Sequence, residues 1–327
     1  MNKSTFFLLL LLAGCSKPKA IRIEGETMAT TYHVTYFDSE NRDLKHSIDS
    51  ILVLVNKAIN NYDSTSAVSA FNKNKRGIKV RSPYLLDPIR IAKHVNTSSR
   101  GAFDPTVMPL VNAWGFGKNK FAVADTSKID SLRSLIGFDK VDFDNDSLWK
   151  TDPRTQIDFG GIGQGYGADV IANFLKSKGV DDMFIELGGE GLALGHNLET
   201  GKLWYIGILD PESLDEMKAY VSLGGRAFTT SGNYYNYREV NGQRFSHIID
   251  PTTGYPTTSN IMSASVFAPD CATADAWAKA LIILGLDGAK EILEKHPELD
   301  VFLVYSTSEG TKTFTSKNIS GQLEINN

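Results

Sequence analysis

The sequence predicts an α+β fold with mixed, largely antiparallel sheets and flanking helices. Segments with strand character follow one another between residues 183 and 267, whereas a doubly wound parallel sheet would separate its strands by helices. The chain has 327 residues, of which 42% are hydrophobic and 22% are charged, so it has enough apolar material for a sizeable core. No long linker, internal repeat or low-complexity block divides it.

The strands are predicted from alternating polarity and from β-branched content. Residues 21–37 alternate between apolar and polar side chains, which predicts a hairpin or a pair of strands. Apolar runs bounded by turn residues predict the remaining strands, at residues 183–187, 204–209, 219–223, 227–230, 245–249, 263–267, 301–305 and 311–315.

The helices are predicted from apolar residues at helical spacing and from their end signals. One such series runs from Leu44 to Ile59. Ser82 followed by Pro83 indicates an N-cap and a first-turn proline, which open a helix that extends to about residue 98. Further helices are predicted at residues 131–136, 165–178, 272–284 and 288–295.

The first fifteen residues have the pattern of a bacterial lipoprotein signal. Lys3 precedes an apolar run from Phe6 to Leu12, which is too short to span a bilayer. The sequence LAGC ends this run at Cys15, whose acylation would make it the mature N-terminus, although a plain signal peptide with a chance cysteine remains open. We therefore predict a signal peptide at 1–14, a tether at 15–20 and a domain at 21–327, exported, anchored to a membrane by lipid and facing the periplasm.

Charge and cysteine content exclude two further possibilities. The net charge of −4 gives no electrostatic reason to expect a nucleic-acid partner. Cys271 is the second of the two cysteines, so no intramolecular disulfide can form if Cys15 carries lipid.

The stretch DFGGIGQGYGADV, residues 158–170, carries five glycines within eight positions. Gly163, Gly165 and Ala168 fit the G-x-G-x-x-A form of a dinucleotide fingerprint, and Glu186 lies about where a ribose-binding acid belongs. Export and consecutive strands disfavour a nicotinamide dehydrogenase. The physical interpretation that remains is a loop whose backbone approaches a pyrophosphate at a helix N-terminus, with a tight strand-to-helix connection as the alternative.

Other polar, glycine-bearing segments also carry candidate chemistry. His247 is either a general base or a structural histidine hydrogen-bonded in a sheet, and it shares a side with Asp250 only if the chain turns near Pro251. Asp275 lies in the first turn of an apolar helix, where it either caps the helix or binds a metal ion. Trp114 lies among glycines and either offers a flat face to a ring ligand or packs a turn.

Taken together, these segments resemble the ApbE family of flavin transferases, which transfer FMN from FAD to proteins. The likeness covers residues 21–284 and keeps the family's order. Its motifs are G-x-x-M-x-T-x-Y at 25–32, a segment with Ser66, Ser69 and Asn72, G-x-F-D-P-T-V at 101–107, D-x-G-G-I-G-x-G-Y at 158–166, T-S-G-x-Y-x-x-Y at 230–237, H-I-I-D-P-x-T-G at 247–254 and A-D-A at 274–276.

The resemblance implies an ApbE-like fold, a reaction and a set of site residues. A threonine or serine hydroxyl of an exported acceptor would attack FAD at the FMN-side phosphorus, leaving FMN as a phosphoester and releasing AMP. His247 and Asp250 would be catalytic, and Mg²⁺ would be held by Asp275 and the carbonyl of Gly163. The residues implied in contacts with FAD are Met28, Ser69, Asn72, Asp104, Trp114, Gly161, Gly165, Asp169, Thr230, His247 and Ile248.

One position departs from the family pattern. Four residues after the helix aspartate, where the resemblance implies a threonine metal ligand, this chain has Lys279. An ammonium group cannot coordinate a cation. Lys279 therefore weakens Mg²⁺ binding, replaces the ion as a phosphate clamp, or extends to solvent and leaves the metal with Asp275 and water.

The resemblance also implies partners and leaves alternatives open. The acceptor would be a redox-pump subunit or a similar electron carrier with a D-[ST]-G-[AST]-T-like motif, which this chain itself lacks. A Mg²⁺-dependent FAD pyrophosphatase that yields FMN and AMP is the second hypothesis. A non-catalytic FAD-binding lipoprotein is the third.

Overall fold

The computed structural model describes residues 19–117, 125–233, 237–240 and 243–326. The predicted signal peptide at 1–14 and the lipidation site Cys15 lie outside the described residues. Within the described ranges, no helix is long and apolar enough to cross a membrane.

Seven α-helices are found in the described part of the chain. Ser82 caps the third helix by accepting a hydrogen bond from the backbone N–H of Tyr84, as the Ser-Pro signal predicts. The last helix contains a break at Gly285, whose φ of 70° is not helical. The helices are α1 Lys45–Ile59, α2 Ala67–Lys73, α3 Pro83–Ser98, α4 Met108–Ala113, α5 Ile129–Arg133, α6 Gly163–Ser177 and α7 Cys271–Lys295.

The strands are short and mostly consecutive in the chain. The first eight are β1 Ala20–Thr27, β2 Thr30–Phe37, β3 Gly77–Lys79, β4 Val141–Phe143, β5 Ser147–Lys150, β6 Asp182–Leu187, β7 Glu190–Leu194 and β8 His196–Asn197. Those that follow are β9 Lys202–Asp210, β10 Ser213–Leu223, β11 Arg226–Gly232, β12 Tyr237–Val240, β13 Gln243–Ser246, β14 Ile261–Ala268, β15 Asp300–Thr307, β16 Gly310–Thr315 and β17 Leu323–Ile325.

Eight strands form one central sheet in the order β1-β2-β6-β7-β11-β14-β15-β16. Each neighbouring pair in it is antiparallel, from β1 with β2 to β15 with β16. Side chains alternate between its two faces. Val266 packs into the core formed with α7, whereas the next residue, Phe267, packs on the opposite face with Trp204 of β9. The sheet is therefore covered by helices on one face and by a smaller sheet on the other.

The smaller sheets complete this arrangement. The order β17-β10-β9-β8 gives the four-stranded sheet that covers the central one, and β3-β5-β4 and β12-β13 form two separate antiparallel units. The predicted α+β class with largely antiparallel sheets is confirmed. These strands do not form the parallel sheet, with helices between its strands, of a dinucleotide-binding fold.

Most predicted elements are confirmed, with one informative error. The strand predicted at 245–249 is wrong after Ser246, because the hydroxyl of Ser246 accepts the N–H of Ile248 and the chain bends away. The hairpin predicted at 21–37 is present and turns at Met28. Met28 and Ala29 form the β1–β2 turn with φ values of 50° and 61°, a conformation that usually selects asparagine or glycine.

Candidate functional site

Two cavities meet at one place on the surface. The first has a volume of about 260 Å³ and the second about 550 Å³. Gly160, His247 and Lys279 line both cavities. A ligand longer than either cavity would therefore pass these three residues.

The first cavity has an apolar wall with two carboxylates in it. Asp104 is held by its neighbours, with one oxygen accepting from the N–H and hydroxyl of Thr106 and the other from the N–H of Phe138. Burial raises the pKa of Asp104 and also that of Asp158 above their ordinary values. The apolar lining consists of Tyr62, Ala102, Phe103, Val107, Val111, Phe116, Ile248, Ile249 and Ile283.

The wall of the first cavity depends on two amides, the buried Asn61 and the half-buried Asn72. Asn61 donates to the carbonyl of Ile157 (2.6 Å) and accepts from the N–H of Phe159 (2.9 Å). Asn72 donates to the same carbonyl (2.8 Å) and accepts from the N–H of Ile157 (2.7 Å). Together they fix the backbone on both sides of Asp158. Asn61 was not singled out from the sequence, because its partners are distant in the chain.

The glycines of residues 160–167 perform two different tasks. Gly160 and Gly161 line the first cavity, where a side chain at 161 would approach the ring of Phe103 at 3.1 Å. Gly165 lies against the backbone of α7, and a Cβ there would be 2.5 Å from the carbonyl oxygen of Cys271. A Cβ at Gly167 would meet Leu187 at 3.1 Å. Close packing of α6, and not only ligand approach, therefore requires these glycines.

The centre of the site is a cluster of three ionisable side chains. Asp275 is buried on α7, and its Oδ2 accepts from the N–H of Gly165 at 3.3 Å. Its Oδ1 accepts a hydrogen bond from the ammonium of Lys279, one helical turn further on. Glu190, at the start of β7, places Oε1 4.0 Å from the same ammonium. Its Oε2 is buried and has no hydrogen-bond partner among the described residues.

Burial and mutual charge shift the pKa values in this cluster. Burial raises the pKa of Glu190 to about 8, helped by the nearby carboxylate of Asp275 and opposed by Lys279. Burial lowers the pKa of Lys279, but the charges of Asp275 and Glu190 outweigh it, so that its pKa lies above its ordinary value. Lys279 is therefore a cation near neutral pH. The sequence did not predict Glu190 as a site residue. The one local signal is the pair of glycines, Gly188 and Gly189, that precedes it.

The carboxylate of Asp275, implied as a Mg²⁺ ligand, does not fit a metal ion as it is arranged. Both oxygens of Asp275 accept hydrogen bonds, one from a cation. Gly163 begins α6, and that its carbonyl is the second ligand stays a prediction. Across the ranges that the structure describes, no group of three His, Cys, Asp and Glu side chains could hold a metal.

The segment after His247 forms a tight turn beside the junction. The N–H of Gly254 donates to the carbonyl of Asp250, and the carboxylate of Asp250 accepts the N–H of Thr252. Trp114 packs this turn, because its indole N–H donates to the carbonyl of Gly254 at 2.8 Å. The turn near Pro251 that would let Asp250 share a side with His247 is therefore present. Asp250 nevertheless lines neither of the two cavities.

The structure brings some of the expected FAD contacts together and places others elsewhere. Those lining one or both cavities are Asp104, Gly161, Thr230, His247 and Ile248. Those outside the two linings are Met28, Ser69, Asn72, Trp114, Gly165 and Asp169. Asp169 accepts the N–H groups of Cys271 and Ala272 at the start of α7, and burial raises its pKa to about 7. That these residues contact FAD stays a prediction.

Comparisons with known proteins agree on one family. The model of the ApbE family matches residues 28–303. The FAD:protein FMN transferase of Vibrio cholerae is 34% identical over 318 residues, which cover 94% of each chain, and that of Haemophilus influenzae is 35% identical over 329 residues, which cover 94% of this chain and 93% of the relative.

Solved structures give the same result. The flavin transferase ApbE from Vibrio cholerae superposes with a TM-score of 0.85 at 31% identity, covering 93% of this chain and 99% of the other. The apo flavinyl transferase ApbE of Pseudomonas stutzeri superposes with a TM-score of 0.83 at 30% identity, covering 94% and 98%.

Proposed function

This chain belongs to the ApbE family, and we propose from that membership that it transfers FMN from FAD to a hydroxyl group of a protein. The observation that carries the proposal is the junction at Gly160, His247 and Lys279, which line both cavities. Extended FAD has a ring system at each end and a pyrophosphate between them. Each cavity would receive one end, and the pyrophosphate would lie at the junction.

The reaction breaks one bond and forms one. The hydroxyl oxygen of an acceptor threonine or serine attacks the phosphorus on the FMN side, and the bond from that phosphorus to the bridging oxygen breaks. The bridging oxygen leaves with AMP. His247 accepts the hydroxyl proton, which is the role its place beside the junction supports. Overall, FAD and the protein hydroxyl group are converted to a protein-bound FMN phosphoester, AMP and a proton.

The chain's own residues orient this substrate. Asn61 and Asn72 fix the wall beside Asp158, and Thr230 and Ser231 offer hydroxyl groups in the second cavity. Mg²⁺ would supply charge neutralisation to the pyrophosphate if it were bound. Both oxygens of Asp275 are engaged by N–H donors.

The acceptor and the location complete the proposal. We infer an exported acceptor with a D-[ST]-G-[AST]-T-like motif, and attachment of this chain through lipid at Cys15 to a membrane facing the periplasm. Labelling cells with a radioactive fatty acid tests the anchor. The label should appear on the intact chain and be lost in Cys15→Ser, and a labelled Cys15→Ser protein would contradict the proposal.

The activity is tested with the chain lacking residues 1–14. It is incubated with FAD and an acceptor domain that carries the motif, and flavin fluorescence of the acceptor is read after denaturing electrophoresis while AMP is measured by chromatography. Acceptor labelling with equal AMP supports the proposal, and an acceptor with the threonine changed to alanine is the control. AMP without labelling would indicate a pyrophosphatase, and bound FAD with neither product would indicate a binding protein.

A further inference from the structure

We propose, resting on the proposed function, that Lys279 is the cation that binds the FAD pyrophosphate, so that flavin transfer by this chain needs no divalent metal at Asp275. The side chain of Lys279 is 18% exposed and lines both cavities. The exposed part of this cation therefore faces the path along which the pyrophosphate must pass.

The hydrogen bonds of Lys279 leave it able to bind phosphate. An ammonium group has three N–H donors. Among the described residues it donates one hydrogen bond, to Asp275, and Glu190 at 4.0 Å is beyond hydrogen-bond distance. Two donors remain for phosphate oxygens, and the bond to Asp275 holds the ammonium in place.

The same contacts exclude a metal ion from this position. Mg²⁺ binds carboxylate oxygens at about 2.0–2.1 Å and demands near-octahedral geometry. The ammonium already occupies that side of Asp275, and the N–H of Gly165 takes the other oxygen. To bind there, a divalent ion would have to displace the ammonium of Lys279 from a buried cluster.

The chemistry that Lys279 supplies is electrostatic. Phosphoryl transfer places negative charge on the oxygens around the attacked phosphorus and on the departing AMP. A fixed ammonium group stabilises both without gaining or losing a proton. The hydroxyl proton still goes to His247, and the P–O bond broken is the one to the bridging oxygen.

The first experiment uses the wild-type chain and needs no variant. FAD affinity is measured by quenching of flavin fluorescence, once with excess EDTA and once with Mg²⁺. We expect the two dissociation constants to agree within about twofold. Tight binding that requires Mg²⁺ would overturn the inference and leave the proposed function intact. Failure to bind FAD under either condition would instead contradict the proposed function.

The second experiment compares variants of one helix. Lys279→Thr should weaken FAD binding in EDTA by at least about tenfold and make binding depend on Mg²⁺, whereas Lys279→Arg should retain much of the affinity. Lys295→Met removes an exposed lysine near the end of α7 and should change nothing. FAD binding by Lys279→Thr that equals wild type in EDTA would overturn the inference.

A third variant separates binding from folding. Removal of Lys279 alone leaves Asp275 buried without its cation, so the protein can lose stability. Asp275→Asn with Lys279→Met removes both charges together and keeps the volume. We expect this variant to fold, as judged by its unfolding transition, and to bind FAD at least about tenfold more weakly than wild type with or without Mg²⁺. Undiminished affinity in the folded variant would count against the role of Lys279.

Discussion

Lys279 lies one turn after Asp275 on α7, and its ammonium donates a hydrogen bond to that buried carboxylate. The pair lies where two cavities meet, and Glu190 approaches it from β7. Stability, substrate binding and pH dependence all depend on this cluster. Each can be measured separately.

Loss of one partner of the Asp275–Lys279 ion pair should destabilise the protein more than loss of both. Lys279→Met should lower the free energy of unfolding by about 3 kcal/mol, because it leaves a buried charge without its partner. Asp275→Asn with Lys279→Met should lose less, since neither charge remains. Urea unfolding of the single and double variants checks this, and a double variant that loses as much as Lys279→Met or more would contradict the prediction.

Stability should fall as pH rises through the titration of Glu190. Its pKa in the folded protein is raised to about 8 from an ordinary value of 4.5, so the folded state holds the proton more tightly than the unfolded chain does. This contribution to stability is complete at low pH and is lost between about 4.5 and 8. Glu190→Gln should therefore be more stable than wild type at about pH 9 and show a flatter pH profile. Parallel profiles for the two proteins would contradict the shift.

His247 should affect the chemical step more than substrate binding. His247→Gln should slow flavinylation of the acceptor by about 10²–10⁴-fold, the usual contribution of a general base, and change FAD affinity by little. Single-turnover labelling gives the rate, and flavin fluorescence gives the affinity. If affinity falls as far as the rate does, His247 binds FAD and does not serve as the base.

The buried amide Asn61 should hold the cavity wall. Asn61→Ala removes two hydrogen bonds from the backbone at Ile157 and Phe159, and each buried group left unpaired costs about 1–3 kcal/mol. We expect lower thermal stability and weaker FAD binding. Asn173→Ala, which changes an exposed amide on α6, serves as the control. Unchanged FAD affinity in a folded Asn61→Ala protein would show that the wall does not depend on this amide.

Gly161, in the loop before α6, and Gly165, in the first turn of α6, should respond differently to alanine. At Gly165 the new Cβ would lie 2.5 Å from the backbone of Cys271, so overpacking should cost about 1–3 kcal/mol or more of stability. At Gly161 the contact is 3.1 Å from the ring of Phe103 inside the cavity, so FAD affinity should fall more than stability. Thermal unfolding and FAD titration of both variants test this, and equal profiles would contradict the division of tasks.

The sequence was sufficient for elements whose signals are local. Alternation in 21–37 predicted the β1–β2 pair, and the Ser82-Pro83 cap predicted the start of α3. It failed where a short contact overrode the local pattern, as at Ser246, whose hydroxyl bends the chain out of the predicted strand. β7 was missed because its apolar residues are few and follow two glycines.

Order of motifs in the chain determined the family, and local periodicity determined the α+β class, since neither requires distant residues to meet. The tertiary structure decided which residues share the site. It brought Asn61 and Asn72 to Ile157, across 96 and 85 positions, and set Glu190 beside Lys279. It also decided that Lys279 turns inward to Asp275 instead of extending to solvent. Burial next to a carboxylate holds that cation in place, and burial is set by packing that no single segment contains.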